Sequence, residues 1–263
     1  HAALACLLCG VACGMIGTYV VCRRLVFLSG GITHASFGGI GMAYYFGANP
    51  LLGALLFAVL SALGIETFTA RKQIREDSAI GLLWSLGMAI GIIFIYLTPG
   101  YAPNLMSFLF GNILSVTGTD IFWMGVVDLA ILLIFGTMYH PILFVAFDRE
   151  YARSQNFPTR TISYLMATLV AVTIVISIRV VGIVLLISLL TIPAVIGNLI
   201  SKSFGRILLY GSVIAALSAF AGLYISYQTN IPSGASTIFV LTVTLIAVKT
   251  ITFVRLKRRM KTR

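Results

Sequence analysis

Three ionisable side chains lie within long apolar stretches of this chain: His34, Glu66 and Asp128. An ionisable group is costly inside a hydrocarbon layer, so such residues are candidates for function. A neutral imidazole suits zinc as a ligand, and suits manganese or iron less selectively. His34 is therefore the strongest candidate for a metal contact.

The neighbours of His34 are small. In FLSGGITHASFGGIG, residues 27–41, helical spacing places small residues on two adjacent stripes: Gly30, His34 and Gly38, and beside them Gly31, Ala35 and Gly39. Small residues let helices approach closely in a membrane. They also leave space beside the imidazole through which a small ion could pass.

The two acids have competing interpretations. Glu66 lies near Arg71, which favours pairing with basic neighbours at the inner membrane boundary over a role in transport. Asp128, in VVDLAILLI, lies deeper and can either bond a neighbouring helix or line a pathway. Asp120 is predicted to be the N-cap of the helix that contains Asp128.

The elements that carry these residues are predicted to be membrane helices. The chain is 59% hydrophobic and 10% charged, with a mean hydropathy of +1.04. Its long uninterrupted apolar runs predict an all-α integral membrane protein, a polytopic bundle of about eight or nine transmembrane helices. Nine spans are predicted, at 2–22, 31–47, 51–70, 79–98, 121–146, 161–178, 181–200, 207–227 and 235–254, with a short apolar segment at 105–118.

The basic residues predict the orientation. With the N-terminus outside and the C-terminus cytoplasmic, every Lys and Arg except Arg179 falls on the cytoplasmic side. The net charge of +11 therefore reflects membrane loops, and no nucleic-acid partner is expected. We predict one membrane domain over residues 1–254 and a basic cytoplasmic tail, 255–263, that can touch membrane lipid.

Catalysis by this chain alone is not expected. The sequence lacks a G-x-x-x-x-G-K-[ST] phosphate loop, a nucleophile elbow and a paired-histidine metal motif. The cysteines of the first span, including Cys9 and Cys13, are interpreted as small packing residues.

Six segments, taken in order, resemble the membrane permease subunit of the zinc/manganese (metal-cation) ABC importer family. They are VVCRRLVFLSGGITHASFGGIG, EDSAIGLLWSLGMAIGI, FLFGNILSVTGTDI, FDREYARSQNFPTR, VVGIVLLISLLTIPAVIGNLI and YQTNIPSGASTI. The resemblance covers nearly the whole chain. It implies a homodimer in the bacterial cytoplasmic membrane, with cytoplasmic ATPase subunits and an extracytoplasmic metal-binding protein. It further implies metal import by ATP-driven alternating access, with no tightly bound cofactor.

His34 matches the histidine of the family's second helix, a metal contact. The family's acidic position four residues earlier is Gly30 here, which removes a hard oxygen ligand and favours zinc over manganese or iron. Two His34 side chains across a dimer axis could share the ion. Candidate helpers are Ser36, Asn112 and Asp128.

The segment LLTIPAVIGNLISKSFGR, 189–206, resembles the part of such importers that docks into the ATPase. Pro193 is predicted to break the ladder of helical hydrogen bonds, and the coupling residues are expected to be Pro193, Asn198, Lys202, Ser203 and Arg206. The alternative is an ordinary basic loop.

Two other functions compete with this reading. An ion-coupled secondary carrier would use acids such as Glu66 and Asp128, but it would also show internal repeats, and none is visible. An intramembrane enzyme would need a nucleophile–base pair or a complete metal site, and His34 with Asp128 supplies neither.

Overall fold

The fold is known from a computed structural model that describes residues 1–70, 74–99, 111 and 113–261. The described part is a bundle of α-helices with one 3₁₀ turn at Ile113–Ser115. The helices are α1 (Ala2–Cys22), α2 (Val26–Tyr45), α3 (Pro50–Ala70), α4 (Glu76–Leu97), α5 (Gly118–Thr137), α6 (Tyr139–Phe147), α7 (Arg149–Ser154), α8 (Thr159–Ile200), α9 (Phe204–Thr229) and α10 (Ser233–Lys261). This confirms the predicted all-helical membrane architecture.

Seven of the described helices are long and apolar enough to cross a membrane: α1, α3, α4, α5, α8, α9 and α10. Helix α2 is not among them, since its glycines and His34 lower its hydropathy. Helix α8 has 42 residues with a non-helical residue at Gly182, so each of its two parts is roughly 30 Å long, about the hydrocarbon thickness. It covers both of the spans predicted at 161–178 and 181–200. The orientation of the bundle stays a prediction.

A single residue divides α8. Gly182 has φ 77° and ψ 165°, a conformation open to glycine alone, and it separates two helical halves. Gly111 lies against this point, because a Cβ on Gly111 would meet the backbone of Val181 and Gly182. Pro193 lies inside α8, where it has no N–H to donate to the ladder of helical hydrogen bonds. The helix continues through Pro193 to Ile200, as membrane helices tolerate proline where neighbouring groups satisfy the backbone.

The predicted span 121–146 is two helices. Helix α5 ends at Thr137, Met138 leaves the helical conformation with φ −114° and ψ 27°, and α6 follows. The prediction that Asp120 is the N-cap of α5 is wrong. Asp120 occupies the N3 position of a capping box. Thr117 is the N-cap, and its backbone N–H donates to the Asp120 carboxylate at 2.9 Å. Helix α10 continues to Lys261, so the predicted tail begins inside a helix.

The centre of the bundle consists of α1, α2 and α8, which bury most of their residues. Helix α2 packs between α3 and α4, and α1 packs between α8 and α9. At the α1–α9 contact, Gly10 and Gly14 lie against the backbone of Ala216 and Ser212. Close contact through small residues is the usual way in which membrane helices associate. Helices α4, α5 and α10 direct large apolar side chains outward, where lipid can cover them.

Candidate functional site

The glycines of α2 confirm the predicted close packing. A Cβ on Gly38 would lie 2.8 Å from the Gly87 carbonyl oxygen of α4, and one on Gly39 would lie 2.5 Å from the Gly53 carbonyl carbon of α3. Gly31 and Gly41 are equally confined, by Ile80 and Gly91 of α4. Gly38, Gly39 and Gly41 bring α2 into backbone contact with both neighbours, which fixes the helix that carries His34.

Gly30 differs from the other glycines around it. The atoms nearest to a Cβ placed there are Ile187 Cδ1 and Trp84 Cζ3, both at 3.9 Å, which is an ordinary van der Waals distance. A methyl group therefore fits at Gly30, one turn before His34. The passage of an ion beside the imidazole stays a prediction.

Trp84 of α4 orients the His34 ring. The two rings are stacked, with centroids 4.4 Å apart and planes at 5° to each other. His34 is half-buried, and neither ring nitrogen has a hydrogen-bonding partner within the described part of the chain. The imidazole is thus held by its face while its nitrogens stay available to a ligand. The sequence reasoning did not identify Trp84, although it is one of only two tryptophans in the chain.

The candidate helpers do not gather around His34. The Ser36 hydroxyl is buried and donates to the Thr33 carbonyl at 2.7 Å, within its own helix. Asp128 lies among α1, α5 and α8, in contact with a small cavity beside Thr173. Asn112 lies outside the described residues. No group of three or more His, Cys, Asp or Glu side chains that could hold a metal occurs in the described part.

Glu66 has a structural partner. Its carboxylate accepts a hydrogen bond from Arg149 Nη2 at 2.5 Å, and the same nitrogen donates to Ser163 Oγ at 2.6 Å. This confirms the interpretation of Glu66 as an acid paired with a basic neighbour. The partner comes from α7, whereas Arg71 lies outside the described residues. The pair ties α3 to α7 and α8.

Arg179, the exception to the predicted charge distribution, also has a partner. Its Nη1 lies 2.9 Å from Asp120 Oδ1, close to the start of α5. An ion pair with a local acid compensates the charge, and this gives a physical reason why one arginine departs from the pattern.

The predicted coupling segment forms an exposed polar turn. Four of its residues, Asn198, Lys202, Ser203 and Arg206, are exposed at the junction of α8 and α9. Pro193 is buried within α8 and adds nothing to that surface. The end of α6 adjoins the turn, since the rings of Phe147 and Phe204 have centroids 6.1 Å apart.

Comparison of the sequence with known protein families shows which family the chain belongs to. Residues 1–252 match the family described as the ABC 3 transport family. The chain belongs to this family. Among the relatives of this ABC-3 permease is a probable metal transport system membrane protein of Chlamydia pneumoniae, 38% identical over 237 residues, covering 88% of this chain and 81% of that protein. Another is the manganese transport system membrane protein MntC of Halalkalibacterium halodurans, 34% identical over 240 residues, covering 91% and 82%.

The fold of the chain is also similar to those of solved ABC transporter structures. The permease superposes with a TM-score of 0.83 and 28% identity on a chain of PsaBC from Streptococcus pneumoniae, solved in complex with Fab, over 94% of this chain and 89% of that one. An inward-facing putative metal-chelate type ABC transporter shares the fold, with a TM-score of 0.76 and 16% identity. The protein is therefore an integral membrane subunit of an ABC metal transport system. ATP hydrolysis belongs to a partner subunit.

Proposed function

We propose that this permease forms the pathway by which a divalent first-row transition metal enters the cytoplasm, by alternating access driven by its ATPase partner. The observation that carries the proposal is His34: an intramembrane imidazole, stacked on Trp84, whose nitrogens have no hydrogen-bonding partner among the described residues. An extracytoplasmic binding protein delivers the metal in this scheme, as the resemblance implies.

One His34 supplies one ligand, and the described part of a single chain offers no further cluster. We propose that two permeases form a homodimer in which the two His34 side chains and water molecules share the ion. A site with few protein ligands binds weakly, and weak binding suits a conduit because the ion must also leave.

The site is proposed to take zinc more tightly than manganese. Affinity at nitrogen ligands rises from manganese to zinc, and Gly30 supplies no carboxylate to favour the harder ion. The relatives named for manganese transport indicate that manganese passes through permeases of this family. We therefore expect both ions to be carried, with zinc having the lower half-saturating concentration.

The ATPase is proposed to dock on the exposed turn formed by Asn198, Lys202, Ser203 and Arg206. The basic residues there can pair with acids of the partner. Lys202→Glu should reduce co-purification of the ATPase and ATP-driven uptake together, while leaving the thermal stability of the permease unchanged.

The test is metal uptake into vesicles that contain the permease and its ATPase. His34→Phe keeps a ring stacked on Trp84 and removes both nitrogens, so it separates ligation from packing. We expect it to lower zinc uptake at least tenfold while the assembled transporter stays intact. Normal zinc uptake by this variant would refute the role of His34. Uptake that persists without ATP would instead favour an ion-coupled secondary carrier.

A second pair of variants tests the metal preference. Gly30→Asp adds an oxygen ligand one turn from His34, in a space that accepts a Cβ, and it should shift preference toward manganese. Gly30→Ala is the matched control and should leave the preference as it is. If the ratio of zinc uptake to manganese uptake is the same in Gly30→Asp as in Gly30→Ala, the ion does not pass at this position and the proposal is contradicted.

A further inference from the structure

Three carboxylates are buried in the described part of the chain, and they differ in whether a partner compensates their charge. Glu66 is paired with Arg149, and Asp120 is paired with Arg179. Asp128 is 5% exposed, and neither of its oxygens has a hydrogen-bonding partner among the described residues. A buried carboxylate without partners needs another means of neutralising or solvating its charge.

A second unsatisfied group lies beside Asp128. Thr173 is fully buried, and its hydroxyl also lacks a partner. Other threonines of α8 behave differently: Thr168 and Thr191 donate to the carbonyl one turn earlier, at 2.9 and 2.8 Å. The Thr173 hydroxyl is therefore free for a ligand that is shared with Asp128.

The two groups line the same small cavity between α1, α5 and α8. Its volume is about 10 Å³, and Ser177, one turn after Thr173, also lines it. This is the smallest volume that holds one water molecule, and the polar lining provides the partners that such a water requires. The remaining wall is apolar: Leu8, Ala12, Met124, Val127 and Ile176.

None of the described residues that line the cavity carries a positive charge. Helix α1 contains no Lys or Arg, and the titratable group that it places near Asp128 is the Cys13 thiol. Helix α5 contributes only Asp120, and α8 contributes Arg160 and Arg179 near other parts of the bundle, the latter held by Asp120. The charge of an ionised Asp128 would thus be uncompensated.

We propose that Asp128 carries a proton in the folded permease and that its carboxyl group, together with Thr173, binds one internal water molecule. The neutral acid donates its O–H to the water, and the water in turn bonds the Thr173 hydroxyl. Asp128 is then a buried proton-binding site at the contact of three helices, separate from the His34 pathway.

Infrared difference spectroscopy on the assembled transporter tests the proposal directly. A protonated carboxyl group has a C=O stretching band that a carboxylate lacks, and we expect this band at neutral pH in the wild type and its loss in Asp128→Asn. Asp120→Asn is the matched control, because an acid ion-paired to arginine is ionised and its removal should leave the band. If Asp128→Asn removes only carboxylate absorption, the acid is charged and the proposal fails.

Two further measurements keep the test decisive. Thr173→Val should shift the C=O band of Asp128, because the shared water loses one partner. An unshifted band would overturn the shared site, and this readout holds even if Asp128→Asn does not fold. Wild-type thermal stability should not depend on sodium concentration. A sodium-dependent stabilisation that disappears in Asp128→Asn would show that a cation, rather than a proton, neutralises the acid.

Discussion

The Glu66–Arg149 pair provides the sharpest stability prediction. Glu66→Gln keeps the shape of the side chain but leaves the arginine without its counter-charge. Breaking a buried ion pair from one side costs about 3–5 kcal/mol. The Arg149 side chain is 28% exposed and keeps its bond to Ser163, so we expect the lower end, about 3 kcal/mol. For a chain of this length, that corresponds to a loss of roughly 6–12 °C in Tm.

The chain offers a matched control for this variant. Arg75 and Asp77 also form an ion pair, at 3.5 Å, but their side chains are 86% and 79% exposed. Such a pair contributes about 0–1 kcal/mol, so Asp77→Asn should shift the thermal unfolding of the purified transporter by at most a few degrees. Replacing both partners, as in Glu66→Leu with Arg149→Met, should restore most of the stability, because no uncompensated charge remains.

The same thermal assay can refute the reasoning. Equal losses for Glu66→Gln and Asp77→Asn would show that burial of the pair between α3, α7 and α8 adds nothing. A double variant as unstable as Glu66→Gln alone would show that packing, rather than charge, accounts for the loss. Either result would show that the charge interaction between Glu66 and Arg149 does not stabilise the packing of α7 on the bundle.

Three further predictions concern the packing and the capping of the helices. Gly39→Ala should destabilise the permease by about 1–3 kcal/mol, because the new methyl group meets the Gly53 backbone. Gly30→Ala should be neutral or stabilising by up to about 1 kcal/mol, as alanine favours the helix and fits the site. Thr117→Ala should cost about 1 kcal/mol through loss of the α5 cap, measured by thermal unfolding. Thr117→Ser, which retains a hydroxyl, should recover most of it.

Much of the fold followed from the sequence, because long apolar runs leave a chain few alternatives to membrane helices. The boundaries were less predictable. The break in α8 at Gly182 lies a few residues from the boundary predicted between the spans 161–178 and 181–200, so the sequence places it approximately. The predicted span 121–146 divides at Met138, within the segment 136–141, where Thr137, His140 and Pro141 lower the hydropathy. The prediction of a single span overlooked this signal.

The site was predictable in its chemistry and unpredictable in its partners. His34 and Glu66 were identified because ionisable side chains are rare in apolar runs. For Glu66, pairing with a basic residue was also expected. Trp84 and Arg149 are distant along the chain, and only the packing of α2 on α4 and of α3 near α7 brings them into contact. Composition and spacing carry no information about such pairs.

The glycines of α2 show why position matters more than composition. At Gly38 and Gly39 the residue type is imposed by backbones that approach too closely for any side chain. At Gly30 no such constraint exists, since a Cβ would meet its neighbours at 3.9 Å. The lack of a side chain there is consequently not imposed by close backbone contact, as it is at Gly38 and Gly39. For this reason Gly30→Ala is expected to leave the helix packing intact and is the control against which Gly30→Asp reports on metal preference, whereas the same changes at Gly39 would report only on folding.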